Sequence, residues 1–368
     1  SVGKTGSQNL GAYDWRTLMG SATYNGAAGI VPSSLGNDIL QWEEQIQKEV
    51  GLDYGFWDDR IRGTLGYYQK KVDNLLYSDP VPTSSSFSSV YQNIGSLKNR
   101  GIEFDVRVDI IKNVQKDLTW NVDFNIARNR TTLEKLNSSD GYFGGGAYDY
   151  FKIEEGGETG RFYGYKDAGR LFMTNEELVG LKTIDPKTGT LKYYRDDYNY
   201  ERQGDVYIMD LDGDGQITAD GDRTVIGNAN PDFFGGFGST LYWKGLMLNA
   251  VFSYSVGGDR FWDEEKNSSG DMNVYNTSNR ILDSWTVNPG VNASYPRAMY
   301  YGWGSNSIIT DRYIHDASYL RMTALNLSYR LPKHLYKNSI LNAVEFTFQA
   351  TNLFTWTKYP GMDPQGNF

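Results

Sequence analysis

Two-residue alternation, sustained over about ten residues and repeated in neighbouring segments, limits this chain more than any other feature. Across 101–111, Ile102, Phe104, Val106, Val108 and Ile110 share one face, and Glu103, Asp105, Arg107 and Asp109 share the other. Across 118–127, Leu118, Trp120, Val122, Phe124 and Ile126 oppose Thr119, Asn121, Asp123 and Asn125. A strand sends successive side chains to opposite faces, so each segment predicts one apolar and one polar face. A barrel with lipid outside and water inside has this pattern, and so does a soluble antiparallel sheet with one wet face. Alternation alone leaves both open.

Composition removes several other classes. Hydrophobic residues make up 39% of the chain, and no apolar run approaches the roughly 18 residues of a spanning helix. There is no Cys, so disulfides, thiolate zinc sites and thiol nucleophiles are excluded. The two His, His315 and His334, have no ligand-like spacing, and no nucleophile elbow, phosphate loop or zinc signature suggests an enzyme. A net charge of −9 argues against nucleic acid, whose binding needs Lys and Arg on phosphates. The 28 Tyr and 41 Gly suit a β-rich protein with long loops.

Connection lengths favour the barrel. Segments 46–56 and 61–77 meet at Trp57-Asp58-Asp59-Arg60, and 95–111 meets 117–132 near residues 112–116. Segments 235–243 and 246–257 meet at Lys244-Gly245, and 319–331 reaches 342–354 through a link opening at Leu331-Pro332. Between these hairpins lie the long polar stretches 9–39, 78–93, 134–233 and 258–317. Tight turns at one end and extended loops at the other are the habit of outer-membrane barrels. With residues 1–8 as the end of a strand, about nine strands are expected. An odd count predicts an internal fragment, residues 1–368 forming part of a barrel with at least one strand to follow.

Several segments resemble the SusC/RagA family of TonB-dependent transporters. They include Asn93-Ile94-Gly95-Ser96-Leu97-Lys98-Asn99-Arg100-Gly101-Ile102-Glu103, the stretch Asp205–Asn228, and Asn230-Pro231-Asp232-Phe233 with Gly235-Gly236-Phe237. Lys4-Thr5-Gly6, Leu40-Gln41-Trp42-Glu43, Phe162-Tyr163-Gly164-Tyr165, Ala317-Ser318-Tyr319-Leu320-Arg321 and Asn352-Leu353-Phe354-Thr355 continue the likeness in the same order. The resemblance implies an antiparallel transmembrane barrel of about 22 strands in outer-membrane lipid. It also implies a plug domain absent from this chain, a SusD-like lipoprotein over the extracellular face, and import of an oligosaccharide or peptide driven by the TonB complex. The TonB-contacting segment is expected to lie outside this chain. Two other readings remain: a soluble calcium-dependent carbohydrate-binding β-protein, and a passive porin.

The acidic loop is the chemical candidate. Asp210, Asp212 and Asp214, with Gly215 and Gln216, follow the first half of a calcium loop, in which crowded carboxylates are relieved by a hard cation. The second half departs, since Gly221 occupies position twelve between Asp220 and Asp222. A structural calcium held by Asp210, Asp212, Asp214, Gln216, Asp220 and Asp222 is one expectation; an ion-free Asp/Gly turn is the other. Trp262, Tyr300, Tyr301 and Trp303 could stack on sugar rings, as could Tyr142, Phe143, Tyr148 and Tyr150, or all could brace the loops. Glu103, Asp105, Arg107 and Asp109 could line a solute path, pair with a plug or pair with each other. Residues 174–182 begin like a capped helix.

Overall fold

The computed structural model describes residues 1–366 except 8–9, 86, 114, 138–140, 145–149, 173, 175–182, 185–190, 193–202, 271–276, 291, 299–305, 307 and 338–339. The helix expected at 174–182 therefore lies outside the described residues, Thr174 apart.

Nine strands form one sheet, each antiparallel to the next in chain order. They are β1 (Val2–Ser7), β2 (Glu43–Phe56), β3 (Ile61–Pro80), β4 (Ser89–Asn113), β5 (Leu118–Leu136), β6 (Phe233–Trp243), β7 (Leu246–Val256), β8 (Tyr319–Arg330) and β9 (Glu345–Thr357). Short turns at 57–60, 115–117 and 244–245 each reverse the chain, and a strand that returns through so short a link pairs antiparallel with the one before it. Lys244-Gly245 turns β6 into β7 with both residues at positive φ, the geometry that matches strand twist.

The register keeps the two faces apart across strands. Leu65, Phe104, Ile126 and Gly235 stand in one row, and Val106, Phe124, Phe237 and Phe252 in the next. The same face continues through Met322 and Phe354. On the other face Arg62 and Arg107 both approach Asp109, at 3.4 and 4.0 Å, so some of the inward charges pair with each other. Much of the outward face is exposed: Val50, Leu52, Ile102, Phe348 and Trp356 are each more than half accessible. A soluble sheet would have to cover such a face; a membrane barrel would leave it to lipid.

Tyrosine and glycine work in cross-strand pairs. Tyr54 opposes Gly63 and donates through its hydroxyl to the Asp105 carbonyl one strand further, at 2.8 Å. Tyr254 opposes Gly235 and reaches the Asn125 carbonyl in the same way, at 2.9 Å. A Cβ on either glycine would sit within 2.8 Å of the tyrosine hydroxyl, so the glycine is what lets the ring lie flat.

Two strands run further than alternation indicated. Half of the stretch 78–93, expected as a long loop, is strand, because β3 continues to Pro80 and β4 starts at Ser89. Bulges between Val72 and Leu76, with Asn74 at φ 57°, and between Ser96 and Leu97 shift the two-residue period on either side of it. At 25 residues β4 spans roughly 80 Å, far beyond a bilayer core, so its upper half stands clear of the membrane. Within 9–39 an exposed hairpin, Leu18–Tyr24 with Ala27–Ser34, turns at Asn25-Gly26.

The buried apolar residues lie mainly in the loops. Leu171, Phe172, Val206, Ile208 and Ile217 form one cluster, and Phe162, Phe261, Ile309 and Tyr313 another. Both draw on 134–233 and 258–317, so these two loops pack as a small domain above the sheet.

Candidate functional site

The acidic loop sits on this loop layer. Strand residues Val206–Ile208 lead in, and a single helical turn, Ala219–Asp222, closes it with Thr218 as N-cap. Carboxylate oxygens of Asp210, Asp212 and Asp222 come within 4.8 Å of one another. Asp210 accepts from the backbone N–H of Gly213 and Gly215, at 2.7 and 2.8 Å, and both glycines hold positive φ that keeps the turn tight. Asp222 is fully buried and accepts from Leu211 N at 2.6 Å and Thr218 N at 2.7 Å, tying the two ends of the loop together. Gly221 approaches Asp212 so closely that a Cβ would fall 2.2 Å from its carboxylate oxygen.

Asp214 turns to the Gln216 N–H, at 2.8 Å, and Asp220 lies in the first turn of the short helix. The third carboxylate of the cluster is thus Asp222, one residue past the twelfth position. An Asp214 N–H bond lowers the Asp212 carboxyl, but desolvation, the charges of Asp214 and Asp222 and a hydrogen bond with Asp210 outweigh it and raise it above the usual range. The donor set is all oxygen and mutually repelling, which suits a hard divalent cation.

Trp262 occupies the second candidate position. It stacks edge-on against His315 at 5.7 Å, tilts against Tyr359 at 6.0 Å and carries the Arg280 guanidinium over its face at 4.4 Å. Below it Glu265, nearly buried, accepts from Tyr295 Oη at 2.9 Å and meets His315 Nε2 at 2.5 Å, with Arg280 3.8 Å away. Burial, followed by the Glu265 charge and hydrogen bond, pushes the Tyr295 hydroxyl up to about 12. Trp262 here braces the loop through three neighbours. Tyr300, Tyr301 and Trp303 lie outside the described residues, as does Tyr148. Tyr150 is packed among Phe151, Phe162 and Phe261.

Spacing gave no hint of the pairs that close the layer. Arg260 donates to the carbonyls of Asp363, Pro364 and Gly366, and Arg321 pairs with Asp363 at 2.6 Å. Arg260 thus clamps the segment after β9 onto the loops, and Arg321 ties it to β8. Asp205, buried, pairs with Arg297 at 2.7 Å and accepts from Asn306 at 2.8 Å.

Residues 5–353 match the model of the TonB-dependent receptor-like β-barrel. The chain belongs to that family. It is thereby a barrel segment of the outer membrane, and the soluble reading of the alternation falls. TonB-dependent receptor P3 of Formosa agariphila is 32% identical over 388 residues, covering all of this chain and 35% of that protein. TonB-dependent receptor SusC of Bacteroides thetaiotaomicron is 29% identical, over 89% of this chain and 30% of its own length. The solved RagAB peptide transporter superposes over 99% of this chain and 37% of its own, with a TM-score of 0.74 at 27% identity. The chain therefore spans about a third of the length of its relatives. Within this family the short turns are periplasmic and the loop layer is extracellular.

Proposed function

We propose that the protein containing this chain imports an oligosaccharide or peptide across the outer membrane, powered by the TonB complex and assisted by a SusD-like surface lipoprotein. The observation that carries this reading is the likeness to the RagAB peptide transporter, which extends over 99% of the chain and so includes the loop layer as well as the strands. The likeness to TonB-dependent receptor SusC supports the same TonB-driven reading, and the RagAB likeness supports peptide as one of the two solute classes. In this reading Tyr300, Tyr301 and Trp303 stand as candidate ring-stacking residues on the sequence pattern alone, while Trp262 braces the loop. The test is a mild-detergent pull-down of the tagged full-length protein, with mass spectrometry of what accompanies it. A stoichiometric surface lipoprotein is expected; recovery of the barrel alone would overturn the partnership.

The acidic loop, in the same reading, holds a structural calcium through Asp210, Asp212 and Asp222, with Asp214, Gln216 and Asp220 completing or orienting the shell. Amide exchange in 210–222 of the full-length protein should slow about 100-fold when calcium is raised to 100 times its Kd. Asp222→Asn should abolish that protection. Because the folded Asp212 carboxyl is raised, its stabilising contribution belongs to the protonated form and is lost as pH rises through its folded value. Calcium replaces the proton, so protection should be present at neutral pH and be lost on acidification as protons displace the cation from the carboxylates. Equal exchange with calcium and with a chelator at neutral pH would exclude the site.

A further inference from the structure

On the lipid-facing side the sheet changes character within one pair of residues. The apolar band on β4 runs from Ile110 up to Ile102, and on β5 from Leu118 up to Ile126. Nine residues of tilted strand match the thickness of a bilayer core. Immediately above, Ile102 opposes Arg128 and Arg100 opposes Arg130. Strand parity puts all three arginines on the face of Ile102 and Ile126, the outward one. Tyr67 of β3 opposes Ile102 from the other side. Tyr67, Arg100, Gly101, Ile102, Arg128 and Arg130 line one groove of about 320 Å³ that opens sideways from the barrel wall.

The charges there do not balance. Arg130 is neutralised by Asp232 at 2.8 Å and Glu158 at 3.5 Å. Further out Lys71 and Lys98 share Glu134, and Lys71 also meets Asp73. Arg100 and Arg128 are exposed and make no ion pair among the described residues. Two uncompensated guanidiniums at the edge of hydrocarbon, one directly opposite a third, repel each other unless an anion joins them. Their depth sets the occupant. At the outer end of a nine-residue band they stand at the head-group level of the outer leaflet, with Ile102 and Tyr67 exposed in the row of Arg128, where acyl chains begin. A soluble acidic partner would have to reach sideways into the lipid to fill the same groove.

We propose that Arg100 and Arg128, with Tyr67 and Ile102 in the row of Arg128 and Arg130 opposite Arg100, bind the phosphate-bearing head of an anionic outer-leaflet lipid. Guanidinium forks match phosphate oxygens in pairs, and the apolar floor receives the first carbons of the chains.

The probe is bisphosphorylated lipid A added to the full-length protein in neutral detergent, with occupancy read by native mass spectrometry. Wild-type protein should bind it well above its dephosphorylated counterpart. Arg100→Gln with Arg128→Gln should weaken binding about tenfold or more, and Arg100→Lys with Arg128→Lys should restore part of it. Lys112→Gln with Lys116→Gln removes the same charge at the periplasmic end and should change nothing. Retained heat-modifiable migration on gels shows that each variant is folded. Unchanged affinity in the folded double Gln variant, or equal binding of the dephosphorylated lipid, would overturn the site. Displacement of the lipid by inorganic phosphate at comparable concentration would overturn the assignment to lipid, leaving a simple anion site.

Discussion

Val106→Arg in the full-length protein should lower folding stability in lipid vesicles by about 2–4 kcal/mol, the cost of a guanidinium at the bilayer midplane. Val106 is the central residue of the Ile102–Ile110 band and lies between Gly63 and Phe124 on the outward face. Burial in a protein core would also penalise Arg, so the depth series is the discriminating measurement. Ile102→Arg, four residues nearer the extracellular edge and already beside Arg128, should cost only about 0–1 kcal/mol. Glu103→Arg, one residue away but on the lumen face, should stay within about 0.5 kcal/mol. Urea titration of vesicle-inserted protein reads all three. Equal penalties at 102, 103 and 106 would mean that the apolar face is not the lipid face.

That lipid face was readable because it repeats locally. Ile102 to Ile110 and Leu118 to Ile126 keep the period of two without interruption, and a one-residue slip would bury charge in lipid. Beyond the bulges at Val72–Leu76 and Ser96–Leu97 the period is shifted, and the strand ends at 78–80 and 89–94 were not legible although their hydrogen bonding continues. The hairpin at 18–34 did have a signal, since Asn-Gly is the strongest short hairpin turn; its short, exposed strands offered no alternation to support it. The acidic loop was legible as a cluster, yet its third carboxylate proved to be Asp222, because the single helical turn after Thr218 carries position 222 back under Asp210. Glu265 and His315 are 50 residues apart, and only the ribbon Asp259–Phe261 with Ile314–Asp316 brings them together. No spacing rule reaches across a loop whose two ends fold back on each other.

The same ribbon gives the second large effect. Glu265→Leu should speed exchange of the Arg260 and His315 amides about 100-fold, corresponding to roughly 3 kcal/mol of local opening energy. Glu265 is the shared acceptor for Tyr295, His315 and Arg280, and its side chain is only 7% exposed. Removing it strands the half-buried Tyr295 hydroxyl and leaves Arg280, already over Trp262, without its carboxylate. Glu265→Gln separates the contributions of shape and charge. The amide oxygen can still accept from Tyr295, so exchange should speed by about tenfold or less. Tyr295 should meanwhile titrate below about 12 but still above its ordinary value of 10.0, because burial is the largest cause of its rise and the Glu265 charge comes second. A Tyr295 that returned fully to its ordinary value in Glu265→Gln would show that charge, and not burial, sets its environment. Exchange at Arg260 and His315 unchanged in Glu265→Leu would show that the loop layer is held by its apolar clusters alone.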